Sequence, residues 1–565
     1  MNALHRRAWG SLQKAASVGS RSICRVGPWG ALLIWFAATS ALADGSFSGA
    51  ADIGRIFAKW ASDTPGCAIG IRGSGNFEYT TAFGSEDLEH GIPNSAGTIF
   101  EAGSVSKQFT AAAILMLARE GKLKLEDPVR KYVPELPAYG NEFTIREMLT
   151  HTSGLRDWGD VAAIEGWPRG TRDYADSDLL GIVARQKKLN FVPGTRWSYS
   201  NTGYNLLEII VSRVSGLSLA AFTRQRIFLP LGMTHSSWRD DHTRVVPGRA
   251  VGYSRGDDGF HSDMPFEDTY GNGGLLTTVG DLLKWNAHLS SPGPADAGWV
   301  ESQQRTFHLS NGRPTGYGYG LVIQNYKGLK EVSHAGQTAG YSTFLARYPS
   351  QQLSIAILCN INEADASEYG HSAVDILVPK AINERSPSDD KVVLSRPQIE
   401  QLVGSYRDIV TGLAIKIIDV SGKLHFGDRS IMRPQDATHF AMQDKFAVFD
   451  SPGTMTVTDA HGNSDRYERV APFSSTLTIL KGLEGKYTSS EIDNSSVEVR
   501  VGSNPDSILL HFGTKTDLTL AAIYKNAFGG PSLTATFSTD KDGRGTALTI
   551  STQRVWNLGL RRVDD

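Results

Sequence analysis

Residues 101–123 read "EAGSVSKQFTAAAILMLAREGKL". Apolar side chains at Phe109, Ala113, Met116 and Leu117 recur at the spacing of one buried helical face. The spacing predicts a helix with Ser104 at or beside its N-terminus, where unpaired backbone N–H groups and the macrodipole favour negative charge. Lys107, three residues on, returns to the same side. A serine hydroxyl is a poor nucleophile until a base takes its proton, and a lysine is such a base once burial or neighbours lower its pKa. The pair alone decides nothing. Ser-x-x-Lys occurs at Ser11/Lys14, Ser104/Lys107, Ser388/Lys391 and Ser538/Lys541, and an N-cap serine before a solvated lysine gives the same pattern.

The chain has 565 residues, 40% hydrophobic and 21% charged, which predicts a globular protein of two to four domains. Residues 1–43 hold five basic side chains and no acid, and end in "WGALLIWFAATSALA". A charged segment, an apolar run and a small-x-small close predict a secretory signal cut after Ala43, hence a secreted or periplasmic protein. An uncleaved anchor is the alternative, but the run is short for a span, so no stable membrane insertion is expected after cleavage. Without those residues 52 basic side chains face 59 acids, a net charge of about −7 against −2 for the whole chain. With no basic stripe, nucleic acid is excluded as a partner. Cys67 and Cys359 remain, and no Cys/His cluster has ligand spacing, so neither metal nor cofactor is expected.

Residues 47–384 mix helical and strand patterns. "GCAIGIRGSGNFEYTTAFG" reads as a hairpin about a Gly-Ser-Gly-Asn turn; helices follow near 104–120, 203–216 and 280–289; "KEVSHAG", "STFLARYP" and "QLSIAILCN" return to strand. Strands at both ends with helices between predict an α+β domain on an antiparallel sheet. "ERSPSDDKVVLSRP" (384–397) reads as a linker, and short alternating strands dominate beyond it. "LVGSY" (402–406) recurs as "LEGKY" (483–487), and "YERVAP" is echoed by "GLRRVDD", which predicts two similar β-barrels. The expected layout is a signal over 1–43, a hydrolase-type domain over 44–384, a linker over 385–396, and barrels over 397–475 and 476–565.

A serine–lysine catalyst needs a group that relays protons and donors for the oxyanion. "RWSYSNTGYNLLEII" offers Tyr199 and Asn201, although Tyr524-Lys525-Asn526 also fits Tyr-x-Asn. "EVSHAGQTAGY" offers His334, with Gly336 allowing close backbone approach. Ser104/Lys107, Tyr199/Asn201 and His334/Gly336, in that order, resemble the three motifs of the penicillin-recognising serine hydrolases. "GKLKLEDPVRKYVPEL", "MLTHTSGLRD", "FVPGTRWSYSNTGYNLL" and "GNGGLLTTVGDLLKW" extend the likeness over roughly 50–384. The third-motif histidine and two barrels resemble the bacterial D-aminopeptidase branch.

That resemblance implies a β-lactamase/transpeptidase-like domain followed by two lipocalin-like barrels. It implies an acyl-enzyme on Ser104, with Lys107 and Tyr199 sharing the proton work and a cation depressing the Tyr199 pKa. It makes His334 a neutral hydrogen-bonding group to substrate or tyrosine, and His151 a structural residue. Asn201 would position Lys107 and the substrate amide, and the N–H groups of Ser104 and Gln337 would form the oxyanion hole. The implied substrates are small peptides, amides or esters; a carboxylesterase and a non-catalytic muropeptide or β-lactam sensor are the competing readings, and a homodimer stays open. Pairing of the first and last strands, also implied, would set Cys67 beside Cys359, as a disulfide or as buried thiols. Finally, the D-aminopeptidase loop that reaches the cleft with an acid corresponds to 521–537, which holds no Asp or Glu and predicts a more open cleft.

Overall fold

The computed structural model describes residues 49–379, 392–427, 430–493, 495–513, 516–530 and 533–563. The expected signal and most of the expected linker lie outside them. Strand β1 (Cys67–Arg72) turns at Ser74–Asn76 into β2 (Glu78–Phe83), the hairpin expected from sequence. Four strands from the far end of the domain complete the sheet: β3 (Val322–Tyr326), β4 (Leu329–Thr338), β5 (Tyr341–Tyr348) and β6 (Leu353–Cys359). Their order is β3-β4-β5-β6-β1-β2, all antiparallel. First and last strands therefore pair, Cys67 faces Cys359, and the two are joined by a disulfide.

Period-two alternation gives the sheet two apolar faces. The row Gly70, Ala356 and Leu345 lies under helix α3 (Val279–Ser290), where Gly70 leaves room for Val279 and Leu283. The next row, Ile69, Ile357 and Phe344, faces α4 (Ala366–Leu377), with Phe344 against Gly370. Helix α1 (Lys107–Arg119) departs from the single buried face that its pattern suggests, because every residue from Lys107 to Leu117 is buried. It packs against α2 (Asn201–Ser215) and the helix Ala297–Gln303, with the Phe109 ring 4.5 Å from that of Trp285 in α3.

Beyond the hydrolase-type domain stand two closed eight-stranded barrels, spanning Gly404–Val470 and Gly485–Val563. The sequence repeat has a physical meaning. A short helix leads into each barrel, and the repeated tyrosine donates back to its last turn, Tyr406 to Leu402 O (2.9 Å) and Tyr487 to Leu483 O (2.8 Å). Equivalent arginines of the last strands hold the same turns, Arg469 through Gln401 O and Arg562 through Gly482 O.

Both barrels pack on the catalytic-type domain. Asn463 of the first exchanges two hydrogen bonds with the Trp197 backbone, each 2.9 Å. Glu491 of the second receives the buried Arg156 guanidinium at 2.8 Å. Segment 521–537 does not behave as a cleft loop. Its described residues form strands of the second barrel, and Tyr524 donates to Gly412 O of the first. Among the described residues, a two-residue turn at Lys525–Asn526 joins the first two of these strands.

Candidate active site

Ser104 sits in a 3₁₀ turn, Gly103–Ser106, immediately before α1. Gly103 has φ +49°, which a side chain disfavours, and a Cβ there would stand 2.8 Å from Gln337 N. A Cβ on Gly336 would stand 2.9 Å from Ser104 N. The two glycines thus let strand β4 touch the nucleophile turn backbone to backbone, which sets the Ser104 and Gln337 amides side by side. Gly336 serves the approach of strand to turn as much as that of substrate to strand.

Lys107 is fully buried, and its Nζ has three neighbours: Asn201 Oδ1 at 2.9 Å, Asn272 O at 2.7 Å and Ser104 Oγ at 3.1 Å. Burial, reinforced by the Arg554 charge and opposed by Asp157, holds its pKa well below the ordinary lysine range. A neutral amine has two N–H donors and one lone pair. In that form the two amide oxygens would take both donors and leave the lone pair facing the Ser104 hydroxyl.

Asn201 opens α2, its own N–H held by Asp157 Oδ2 at 2.7 Å. The Tyr199 ring lies 4.8 Å from Lys107 Nζ and 5.1 Å from the Arg554 guanidinium. Its buried hydroxyl borders Ser104 without closing a hydrogen bond to any described group. Here the expectation of a depressed tyrosine fails. Burial raises the phenol well above its usual value, outweighing the Ser104 contact and Arg554.

His334 is buried, and burial followed by the Lys107 charge pushes it down to about 3, so the ring is neutral as expected. Its tyrosine partner is Tyr317 and not Tyr199. The network assigns every proton: Ser200 N–H donates to His151 Nδ1 (3.2 Å), His151 Nε2–H to Tyr317 (3.2 Å), Tyr317 O–H to His334 Nε2 (3.0 Å), and His334 Nδ1–H to Ala335 O (2.6 Å). His151 is therefore the fixed inner end of a one-way chain, and both nitrogens of His334 are engaged.

These groups line a cleft of about 990 Å³ that contains Ser104, Tyr199, Asn201, His334, Gly336 and Gln337 together. Both barrels enter it. His461 of the first stacks on Trp197, ring centroids 3.6 Å apart, and bonds Thr315 O at 2.7 Å; Arg554 comes from a turn of the second. Sequence reasoning missed Asn272, Tyr317, His461 and Arg554. Asn272 lies inside the quoted "GNGG" and was within reach; the other three sit in stretches with no motif. Among the described residues Asp173, His242 and Asp268 bring potential metal ligands within 4.8 Å of one another, but none of them lines the cleft.

Comparison with known proteins agrees with the geometry. The Beta-lactamase family model matches residues 54–377. Penicillin-binding protein 4* of Bacillus subtilis is 30% identical over 65% of this chain and 86% of its own length. A D-aminopeptidase of Cereibacter sphaeroides is 26% identical over 62% of this chain, which spans 65% of that protein. Among solved structures, the octameric penicillin-binding protein homologue from Pyrococcus abyssi superposes with a TM-score of 0.52 at 24% identity, covering 74% of this chain and 98% of that one. At that identity it speaks for the fold alone.

Proposed function

The chain belongs to the Beta-lactamase family, and from that premise we propose that it is a serine hydrolase cleaving amide bonds of small peptides through an acyl-enzyme on Ser104. The observation that carries this is the buried Lys107, its Nζ held by Asn201 and Asn272 and set 3.1 Å from Ser104 Oγ, with burial lowering its pKa. Lys107 takes the hydroxyl proton as Ser104 Oγ attacks the substrate carbonyl. The adjacent amides of Ser104 and Gln337 receive the oxyanion. Tyr199, kept protonated by burial, hands its proton to the departing nitrogen and recovers one from Lys107. Water then attacks the acyl-enzyme, Lys107 takes its proton, and Ser104 recovers one as it leaves. A pure sensor would need no such depressed lysine. The D-aminopeptidase relative favours D-residues on the acyl side.

The same reading puts the mature protein in the periplasm or outside the cell. Residues 1–43 have the composition of a secretory signal, and a Cys67–Cys359 disulfide persists in an oxidising compartment. Two measurements test the proposal. A fluorophosphonate should label the wild type but not Ser104→Ala, and the wild type should release products from D-amino-acid amides or dipeptides; labelling without turnover on any amide or ester would leave the sensor. N-terminal sequencing of exported protein should begin at Asp44.

A further inference from the structure

The cleft has one fixed positive charge with no carboxylate partner among the described residues, and it comes from the second barrel. Arg554 lines the cleft half-buried, with no hydrogen bond from its guanidinium to any described group. The other permanent cation there, Arg169, is taken by Glu267. His334 is neutral, and Lys107 is already engaged by Asn201, Asn272 and Ser104. No carboxylate closes an ion pair with this guanidinium among the described residues, although Asp160 feels its charge, so its donors are open to a ligand carboxylate.

The turn that carries Arg554 is built to hold it there. Thr552 Oγ1 accepts from Arg554 N (3.1 Å) and Val555 N (2.9 Å) and donates to Asp160 Oδ2 (2.6 Å). The Arg554 carbonyl accepts from Asp157 N (3.2 Å) and Asn190 Nδ2 (2.9 Å), and Trp556 N bonds Asn190 Oδ1 (2.8 Å). The backbone on either side of Arg554 is thus tied across the domain boundary, while its charged end is left over. That end stacks on Tyr199, 5.1 Å from the ring centroid.

We propose that Arg554 binds a carboxylate on the leaving half of the substrate, so that the preferred substrates are short peptides whose released residue carries a free α-carboxylate. The inference rests on the hydrolase reading above. Tyr199 protonates the departing nitrogen, so a group stacked on Tyr199 borders the leaving half. A guanidinium matches a carboxylate with two parallel hydrogen bonds. The third motif offers no substitute, because His334 is uncharged and both its nitrogens are occupied. The second barrel would then complete the site by setting which end of a peptide the enzyme reads.

The test is binding to Ser104→Ala protein by calorimetry, which needs no turnover. The probes are N-acetyl-D-alanyl-D-alanine and its C-terminal carboxamide. The acid should bind at least about 10-fold more tightly than the amide, and the ratio should fall below about 3 in Ser104→Ala/Arg554→Gln, with Arg554→Lys intermediate. Raising NaCl from about 0.05 to about 0.5 M should weaken the acid and leave the amide unchanged, a readout that stands even if the glutamine variant does not fold. Equal binding of acid and amide, no binding of either, or a preference that survives in Arg554→Gln would overturn the proposal. Failure of wild-type enzyme to hydrolyse any amide would overturn the hydrolase reading and leave this binding result standing.

Discussion

Replacing Asn201 by aspartate tests whether Lys107 is the base, because it changes one amide group into a carboxylate 2.9 Å from Nζ. Coulomb's law at that distance with an effective dielectric of ~20 gives about 5–6 kcal/mol in favour of the ammonium form. At ~1.4 kcal/mol per pKa unit that is about 4 units, and some of it goes to burying the new carboxylate. A net rise of about 3 units in the Lys107 pKa is expected, with an acylation rate at neutral pH lower by up to about 10³. Asp157 already pulls the same way. The assay is the rate of fluorophosphonate labelling against pH, which isolates Ser104 nucleophilicity. In Asn201→Asp the rate should keep climbing about 3 pH units beyond the wild-type plateau. Asn201→Ala, which removes the acceptor without adding charge, should slow labelling without moving the rise upward. A labelling profile for Asn201→Asp that superimposes on the wild type would show that Lys107 is not the base.

Tyr199→Phe should cost on the order of 10²–10⁴ in kcat for amides, the scale of a lost acid–base group, and less for esters of good leaving groups; equal losses on both would refute its role as proton donor. Tyr317→Phe removes the donor to His334 Nε2, so His334, now at about 3, should titrate at higher pH, read by the imidazole signals in NMR. Neither barrel brings a carboxylate into the cleft among the described residues, so D-alanine amide and its N-acetyl analogue should differ by less than about 100-fold in kcat/KM, about 2.7 kcal/mol. A larger preference for the free amine would give an ammonium-binding role to Asp263, a cleft acid of the hydrolase-type domain. Glu208 is buried beside Asp176 and is pushed up to about 9, first by burial and then by that neighbour. The folded state holds a proton that the unfolded chain loses near its ordinary pKa, so stability falls as pH rises toward 9. Thermal melts from about pH 6 to 9 should decline less steeply for Glu208→Gln than for the wild type; parallel declines would mean that Glu208 is ionised in the fold.

Local pattern was enough for much of the molecule. The turn residues between "CAIGIR" and "EYTTAF" mark a hairpin by themselves. The recurrence of Gly-x-Tyr at 404–406 and 485–487 marks two barrels, since each tyrosine bonds a helix only a few residues away. Ser104 and Lys107 are legible because one helical turn joins them. Asn201 and His334 were legible only through their likeness to a known set of motifs, since nothing in a strand histidine by itself points to a serine more than two hundred residues earlier.

Tertiary structure decided the rest, and the reason is electrostatic as much as geometric. The protonation of Lys107 and Tyr199 depends on how completely water is excluded, and α1 is buried from Lys107 to Leu117 because segments distant in sequence pack around it. The sequence could offer Tyr199 as a base; burial in the folded cleft keeps it an acid. Tyr317 and Arg554 reach the site along loops with no periodicity, and segment 521–537, which matches the cleft loop of the D-aminopeptidases, is held in its barrel by strand pairing. Which side chain of a barrel loop enters a cleft follows from how two domains dock, through contacts such as Arg156 to Glu491 that join residues 335 positions apart and leave no local trace in the chain.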